Sequence, residues 1–220
     1  MSQVNWQLFT ERDACSTALA QALAKQLQVP GLVLLPGGST PKLMLTQLAQ
    51  QPTIDWSQVV VSATDERWVA ADAKSSNFAL LSQALPAAQH LDPRQQQSTA
   101  EQAAVCWQRA IVQQLPSRAT VVGMGEDGHF ASLFPGMADL DLALNSQLPV
   151  AALVATAPSE PKVRLSLNLT AYYQTNWLAV LIFGESKKAI LEQALTDNQQ
   201  LPISHFIQQS PLPITIYWAP

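Results

Sequence analysis

A chain of 220 residues that is 48% hydrophobic and only 13% charged can build a substantial core, and one domain over 1–220 is expected rather than a disordered or fibrous polymer. The net charge of −4 comes with no cluster of Lys and Arg, which speaks against a nucleic-acid surface. Residues 1–10 lack an apolar segment behind a basic one, and nothing approaches the roughly 20 apolar residues of a membrane span, so neither a secretory leader nor membrane insertion is expected.

The elements alternate along the chain. Thr10, followed by Asp13, suits a helix N-cap with an acidic first turn, and the helix is expected to run to about 28. Its apolar face is Ala14, Ala18, Leu19, Ala22, Leu23 and Leu27. The short apolar runs 31–35, 59–63 and 119–124 read as buried strands. Helices are expected over 41–51, 75–85 and 99–115, and the glutamines at 95–97 read as a solvated loop. Later strands fall at 150–156, 163–167, 177–183 and 214–218, with helices over 185–195 and 203–209. This alternation predicts an α/β fold: an open, mainly parallel sheet with helices on both faces. Cys15 and Cys106 lie in helical patterns and read as two buried thiols of a reducing, cytoplasmic compartment.

In such a sheet ligands bind at the carboxyl ends of the strands. Four segments at strand ends carry candidate chemistry. The first is 36–41, Pro-Gly-Gly-Ser-Thr-Pro, between a strand and a helix. Gly38 frees backbone N–H groups, Ser39 and Thr40 add hydroxyls, and Pro41 suits a first helical position, as a phosphate site at a helix start requires. The segment is neither a P-loop nor a dinucleotide fingerprint, and it also fits a plain strand-to-helix turn. The second is 64–68, where Arg67 suits a carbonyl oxygen or a phosphate and Asp65 a hydroxyl. Ser76 and Asn77 then suit a helix cap; the alternative is a solvated acidic loop with a local ion pair.

The third segment is the most telling: 123–136, Gly-Met-Gly-Glu-Asp-Gly-His-Phe-Ala-Ser-Leu-Phe-Pro-Gly. His129 is the candidate general base, and Asp127, two residues before it, is placed to orient it. The same pair gives two potential metal ligands, but no third stands out in the sequence, so no metal is expected. The fourth joins Arg164, alternating with apolar residues in a strand, to Lys187 in the first turn of a helix. A helix start disfavours a cation, so an anionic partner would explain Lys187, and with the 38–40 turn the two would form a phosphate clamp.

These motifs occur together and in order: Pro-Gly-Gly-Ser-Thr-Pro, Asp-Glu-Arg-Trp-Val at 65–69 with Ser76-Asn77, the 123–136 block, Arg-Leu-Ser-Leu at 164–167 and Gly-Glu-Ser-Lys at 184–187. They resemble the 6-phosphogluconolactonase family over nearly the whole chain, with Phe130 standing where that family commonly has threonine. The resemblance implies a three-layer αβα, Rossmann-like fold related to glucosamine-6-phosphate deaminase. It implies hydrolysis of 6-phospho-D-glucono-1,5-lactone in the oxidative pentose phosphate pathway, with no cofactor and no metal. In that reading His129 activates water, Asp127 orients it and Arg67 steadies the carbonyl oxygen. Gly38, Ser39, Thr40, Arg164 and Lys187 hold the 6-phosphate, with Asp65 also binding substrate. The implied partner is this small sugar-phosphate lactone, and a monomer is expected. Ser132 reads as structural. The deaminases place a glutamate five residues after the histidine, where this chain has Phe134, and usually a tyrosine where it has Arg67. A sugar-phosphate-binding protein without catalysis could dispense with His129 and Asp127, and both are present.

Overall fold

The computed structural model describes residues 3–196 and 201–220. In chain order the elements are β1 (Val4–Leu8), α1 (Arg12–Gln26), β2 (Gly31–Leu35), α2 (Lys42–Ala49), β3 (Val59–Ala63), β4 (Asp65–Arg67), α3 (Asn77–Ala84), β5 (Gln89–Leu91), α4 (Ala100–Val112) and β6 (Ala119–Val122). They continue with α5 (Leu140–Ala143), β7 (Ala152–Thr156), β8 (Val163–Leu167), α6 (Leu169–Tyr173), β9 (Leu178–Phe183), α7 (Glu185–Thr196), α8 (Pro202–Gln208) and β10 (Ile214–Ala219). Seven strands form one parallel sheet in the order β1-β10-β9-β6-β2-β3-β5.

The period-two alternation of side chains on a strand splits the core in two. From β2, Leu32 and Leu34 face one side, where they join Trp107 of α4, Tyr172 of α6, Leu191 of α7 and Phe206 of α8. Val33 and Leu35 face the other and meet Leu19 and Leu23 of α1 and Leu45 of α2. Both faces of the central strands are therefore buried, which is why they read as unbroken apolar runs. The expected three-layer parallel architecture is present.

Several expectations need correction. The first ten residues hold a strand, β1, paired with β10 at the sheet edge. Val4-Asn5-Trp6-Gln7-Leu8 alternates as a half-covered edge strand does, a pattern distinct from the continuous runs of the centre. The opposite edge is β5, only three residues long. The strands β7 and β8 do not join the parallel sheet; they form a separate antiparallel sheet, β4-β8-β7. Only residues 157–162 separate β7 from β8, enough for a hairpin and far short of the dozen or more a parallel crossover needs. The N-cap of α1 is Glu11 rather than Thr10, and it caps without its side chain. Pro41 is the N-cap of α2 rather than its first residue. Cys15 is buried, whereas Cys106 is only half-buried, and both thiols are free. Among the described residues no helix is long and apolar enough to cross a membrane.

Candidate active site

The carboxyl ends of β2, β3, β6 and β9 open into a cavity of about 350 Å³. Each wall follows from the turn that leaves a strand. After β2 the chain turns at Gly38, whose φ of +87° lies in the left-handed region that favours glycine. Beside it Gly37 lets the Asn77 amide press onto the backbone, since a Cβ there would stand 1.8 Å from Asn77 Oδ1. The Ser39 and Thr40 hydroxyls make no hydrogen bond among the described residues, and with Gly38 they line the cavity.

After β3 the segment Asp65–Arg67 is a strand, which removes the alternative of a solvated acidic loop. Asp65 is buried and accepts from Asn77 Nδ2 at 3.3 Å, from Thr64 Oγ1 at 3.4 Å and from Ser132 Oγ. Ser132 is thus structural: it fixes Asp65 at the cavity wall. Glu66 is wholly buried and turns away from the cavity. It accepts from the backbone N–H groups of Arg67, Asn77 and Phe78 and from Ser76 Oγ, and it pairs with Arg94 at 3.1 Å. Ser76 caps α3 as expected, donating nothing to it but accepting from Ala79 N–H.

Arg67 and Arg164 stand directly opposite each other in the β4–β8 ladder. Like charges so placed repel. Arg67 is anchored by Nη1 donating to the Ser75 carbonyl at 2.6 Å, while its buried Nε has no partner. Arg164 donates from Nε to the Pro161 carbonyl at 2.7 Å. Burial, and then the charge of Arg67, hold the Arg164 guanidinium below its ordinary pKa, against the pull of Asp65 and Glu66. Lys187, in the first turn of α7, completes this cationic wall. Burial lowers its pKa, with Glu126 acting in the opposite direction. The ion pairs among the described residues are those of Arg94 with Glu66 and Asp92, and of His129 with Asp127. Arg67, Arg164 and Lys187 therefore face one cavity with no ion pair of their own.

After β6 the turn 123–129 presents His129. Its Nδ1 lies 2.5 Å from Asp127 Oδ1, and the same oxygen accepts the His129 backbone N–H at 3.2 Å. With Nδ1–H donated to the Asp127 carboxylate, the neutral form of the imidazole keeps its lone pair on Nε2. Burial alone would raise the Asp127 carboxyl, but the bonds from His129 outweigh it and hold the pKa below the ordinary value. Gly125 is required here: a Cβ would lie 2.2 Å from the imidazole Cε1 and Nδ1. The Phe134 ring packs on the imidazole with centroids 4.6 Å apart.

The structure brings Gly38, Ser39, Thr40, Asp65, Arg67, His129, Arg164 and Lys187 to one cavity. Asp127 does not line it and touches the site through His129. Phe130 points away, into the core against Tyr172 and Phe206. Sequence reasoning did not identify Glu66 and Arg94 as a buried brace, nor Ser159 among the residues lining the cavity. Among the described residues no group of three or more His, Cys, Asp or Glu converges to hold a metal ion.

An open parallel sheet that gathers cations and an imidazole in one cavity where its strands end has the ligand-binding arrangement of the α/β proteins. Within that class the chain belongs to the family described as glucosamine-6-phosphate isomerases/6-phosphogluconolactonase, whose profile matches residues 11–218. It is 36% identical over 210 residues to a 6-phosphogluconolactonase of Pseudomonas aeruginosa, covering 92% of this chain and 86% of that one. A crystal structure of a 6-phosphogluconolactonase from Shewanella baltica superposes with a TM-score of 0.91 at 30% identity, over 99% of this chain and 98% of that one. A monomeric glucosamine-6-phosphate deaminase, 14% identical with 97% of each chain covered, shares the fold at a TM-score of 0.79.

Proposed function

We propose that this protein hydrolyses 6-phospho-D-glucono-1,5-lactone to 6-phosphogluconate, the lactone-opening step of the oxidative pentose phosphate pathway. The observation that carries the proposal is the juxtaposition of three cations without ion pairs, Arg67, Arg164 and Lys187, with a carboxylate-oriented imidazole in one cavity. A sugar phosphate supplies the missing anion at one end and an electrophilic carbonyl at the other.

In this reading the phosphate is held by Arg164, Lys187, the Ser39 and Thr40 hydroxyls and the backbone at Gly38. It is remote from the reacting bond, so its binding energy goes into positioning the lactone. His129 Nε2 removes a proton from water as the oxygen adds to the lactone carbonyl carbon. The carbonyl becomes an oxyanion, which Arg67 stabilises from its fixed position on the Ser75 carbonyl. Asp127 stabilises the imidazolium by accepting from Nδ1–H. The oxyanion then collapses, the bond from the carbonyl carbon to the ring oxygen breaks, and His129 returns its proton to that oxygen. The carboxylic acid ionises to solvent. Asp65 is assigned to a sugar hydroxyl. The partner is this small lactone alone. The free cysteines lead us to place the protein in the cytoplasm, and we take a monomer as the default state.

The test is hydrolysis of freshly generated lactone by the wild type and by His129→Ala, corrected for the spontaneous rate. The expected result is rapid wild-type turnover and a fall of roughly 10²-fold or more in the variant. A folded wild type without turnover would overturn the lactonase reading, and equal turnover in both would remove His129 as the base.

A further inference from the structure

General-base catalysis depends on where the lone pair points, and an imidazole held only through Nδ1 can still swing about that bond. Two further contacts oppose this. The bare Cα of Gly125 leaves room for the ring against the backbone, where a Cβ would stand 2.2 Å from Cε1 and Nδ1. The Phe134 ring, tilted 45° to the imidazole at 4.6 Å, closes off another direction. Phe134 is itself 7% exposed and lines the same cavity. It reaches His129 because the chain doubles back: Ala131 adopts φ +50°, Leu133 N–H donates to Phe130 O, and Met137 N–H then ties to Phe134 O. A non-glycine residue in that conformation is uncommon, which indicates that the surrounding packing imposes the reversal.

We propose that Phe134 is a positioning residue: with Gly125 it forms a slot that confines the His129 imidazole to one orientation, Nε2 toward the carbonyl carbon of the bound lactone. This rests on the reading of His129 as the general base. Phe134 has no polar side-chain atom with which to hold a phosphate or the departing oxygen, and its ring contact is with His129, so its contribution falls on the chemical step and not on binding. Misalignment of a catalytic group by about 1 Å costs up to 10²-fold in rate, which sets the scale of the effect.

The experiment compares Phe134→Leu and Phe134→Tyr with the wild type, by steady-state kinetics and by NMR of the His129 ring nitrogens. Expected for Phe134→Leu are a kcat lowered about tenfold or more, a KM within about twofold, and a His129 Nδ1–H resonance broadened by exchange. Phe134→Tyr, which keeps the ring, restores most of the rate. If Phe134→Leu does not fold, Phe134→Met, similar in volume to leucine but more flexible and equally lacking a flat face, carries the same comparison. Unchanged kcat and an unchanged Nδ1–H signal in a folded variant overturn the proposal, as does a change confined to KM. If the wild type itself does not turn over lactone, the function reading fails separately, and the Nδ1–H signal alone decides whether Phe134 confines the ring.

Discussion

Asp127 receives both of its bonds from His129 on a single oxygen, with its side chain 45% exposed. Its folded-state pKa lies below the ordinary 3.8, so the stabilisation it gives is complete above that pH and disappears as pH falls through the lowered value. Solvent screening keeps the effect small. In Asp127→Asn the expected loss is under about 1 kcal/mol at pH 7, and thermal melts of variant and wild type should converge at low pH. The rate should suffer more, by about tenfold to a hundredfold in kcat, because the amide is a poorer partner for an imidazolium. A melting difference that persists below the carboxyl's titration would contradict this account. Asp127 and His129 were legible in the sequence because their relation is local: two residues apart, in a glycine-rich turn after an apolar strand.

The element that resisted reading is β4. Its residues Asp65-Glu66-Arg67 look like a solvated turn, yet Glu66 is among the most buried charges in the protein. Its partner Arg94 lies far along the chain, beyond α3 and β5, and no periodicity announces such a pairing. What Glu66 does is gather the first N–H groups of α3, where a carboxylate is favoured by the helix dipole. It thereby clamps β4 to α3 and α3 to the turn after β5, and this brace holds Arg67 and Asn77 at the cavity. Removing one partner of a buried pair costs about 3–5 kcal/mol, so Arg94→Met should lower the melting temperature by about 6–20 °C. A melting temperature within a degree or two of the wild type would show that the brace is dispensable. The β7–β8 hairpin was half legible: both strands were found, but their direction is set by the shortness of residues 157–162, not by their apolar pattern.

Over the whole molecule the acidic groups outnumber the basic ones, 16 to 12, yet the cations are not evenly spread. Arg67, Arg164 and Lys187 line the cavity. Lys42 and Lys74 line an adjoining hollow that shares Gly38, Ser39, Arg67 and Asn77 with it. Arg12 and Lys42 border a third that shares Ser39 and Thr40. An acidic protein that concentrates its positive charge around one opening draws a dianion toward it over a Debye length of about 10 Å at 0.1 M salt. The expected outcome is a kcat/KM that falls as salt rises, and a shallower fall in the Lys42→Gln, Lys74→Gln double variant with kcat unchanged. An identical salt profile for the two proteins would remove this role from the rim.

Trp218 brings a practical consequence. Its indole Nε1 donates to the Gly184 carbonyl at 3.0 Å, one residue before α7, and Lys188 Nζ sits 4.4 Å from its ring centroid. The indole is therefore wired to the turn that carries Lys187 while standing behind the cavity wall, largely shielded from solvent. Under the proposed assignment of the phosphate to Lys187, charge arriving there alters the field on the chromophore. Titration with 6-phosphogluconate is then expected to change the tryptophan emission, and Trp218→Phe to remove the change, so that binding can be followed on a ligand that does not decay during the measurement.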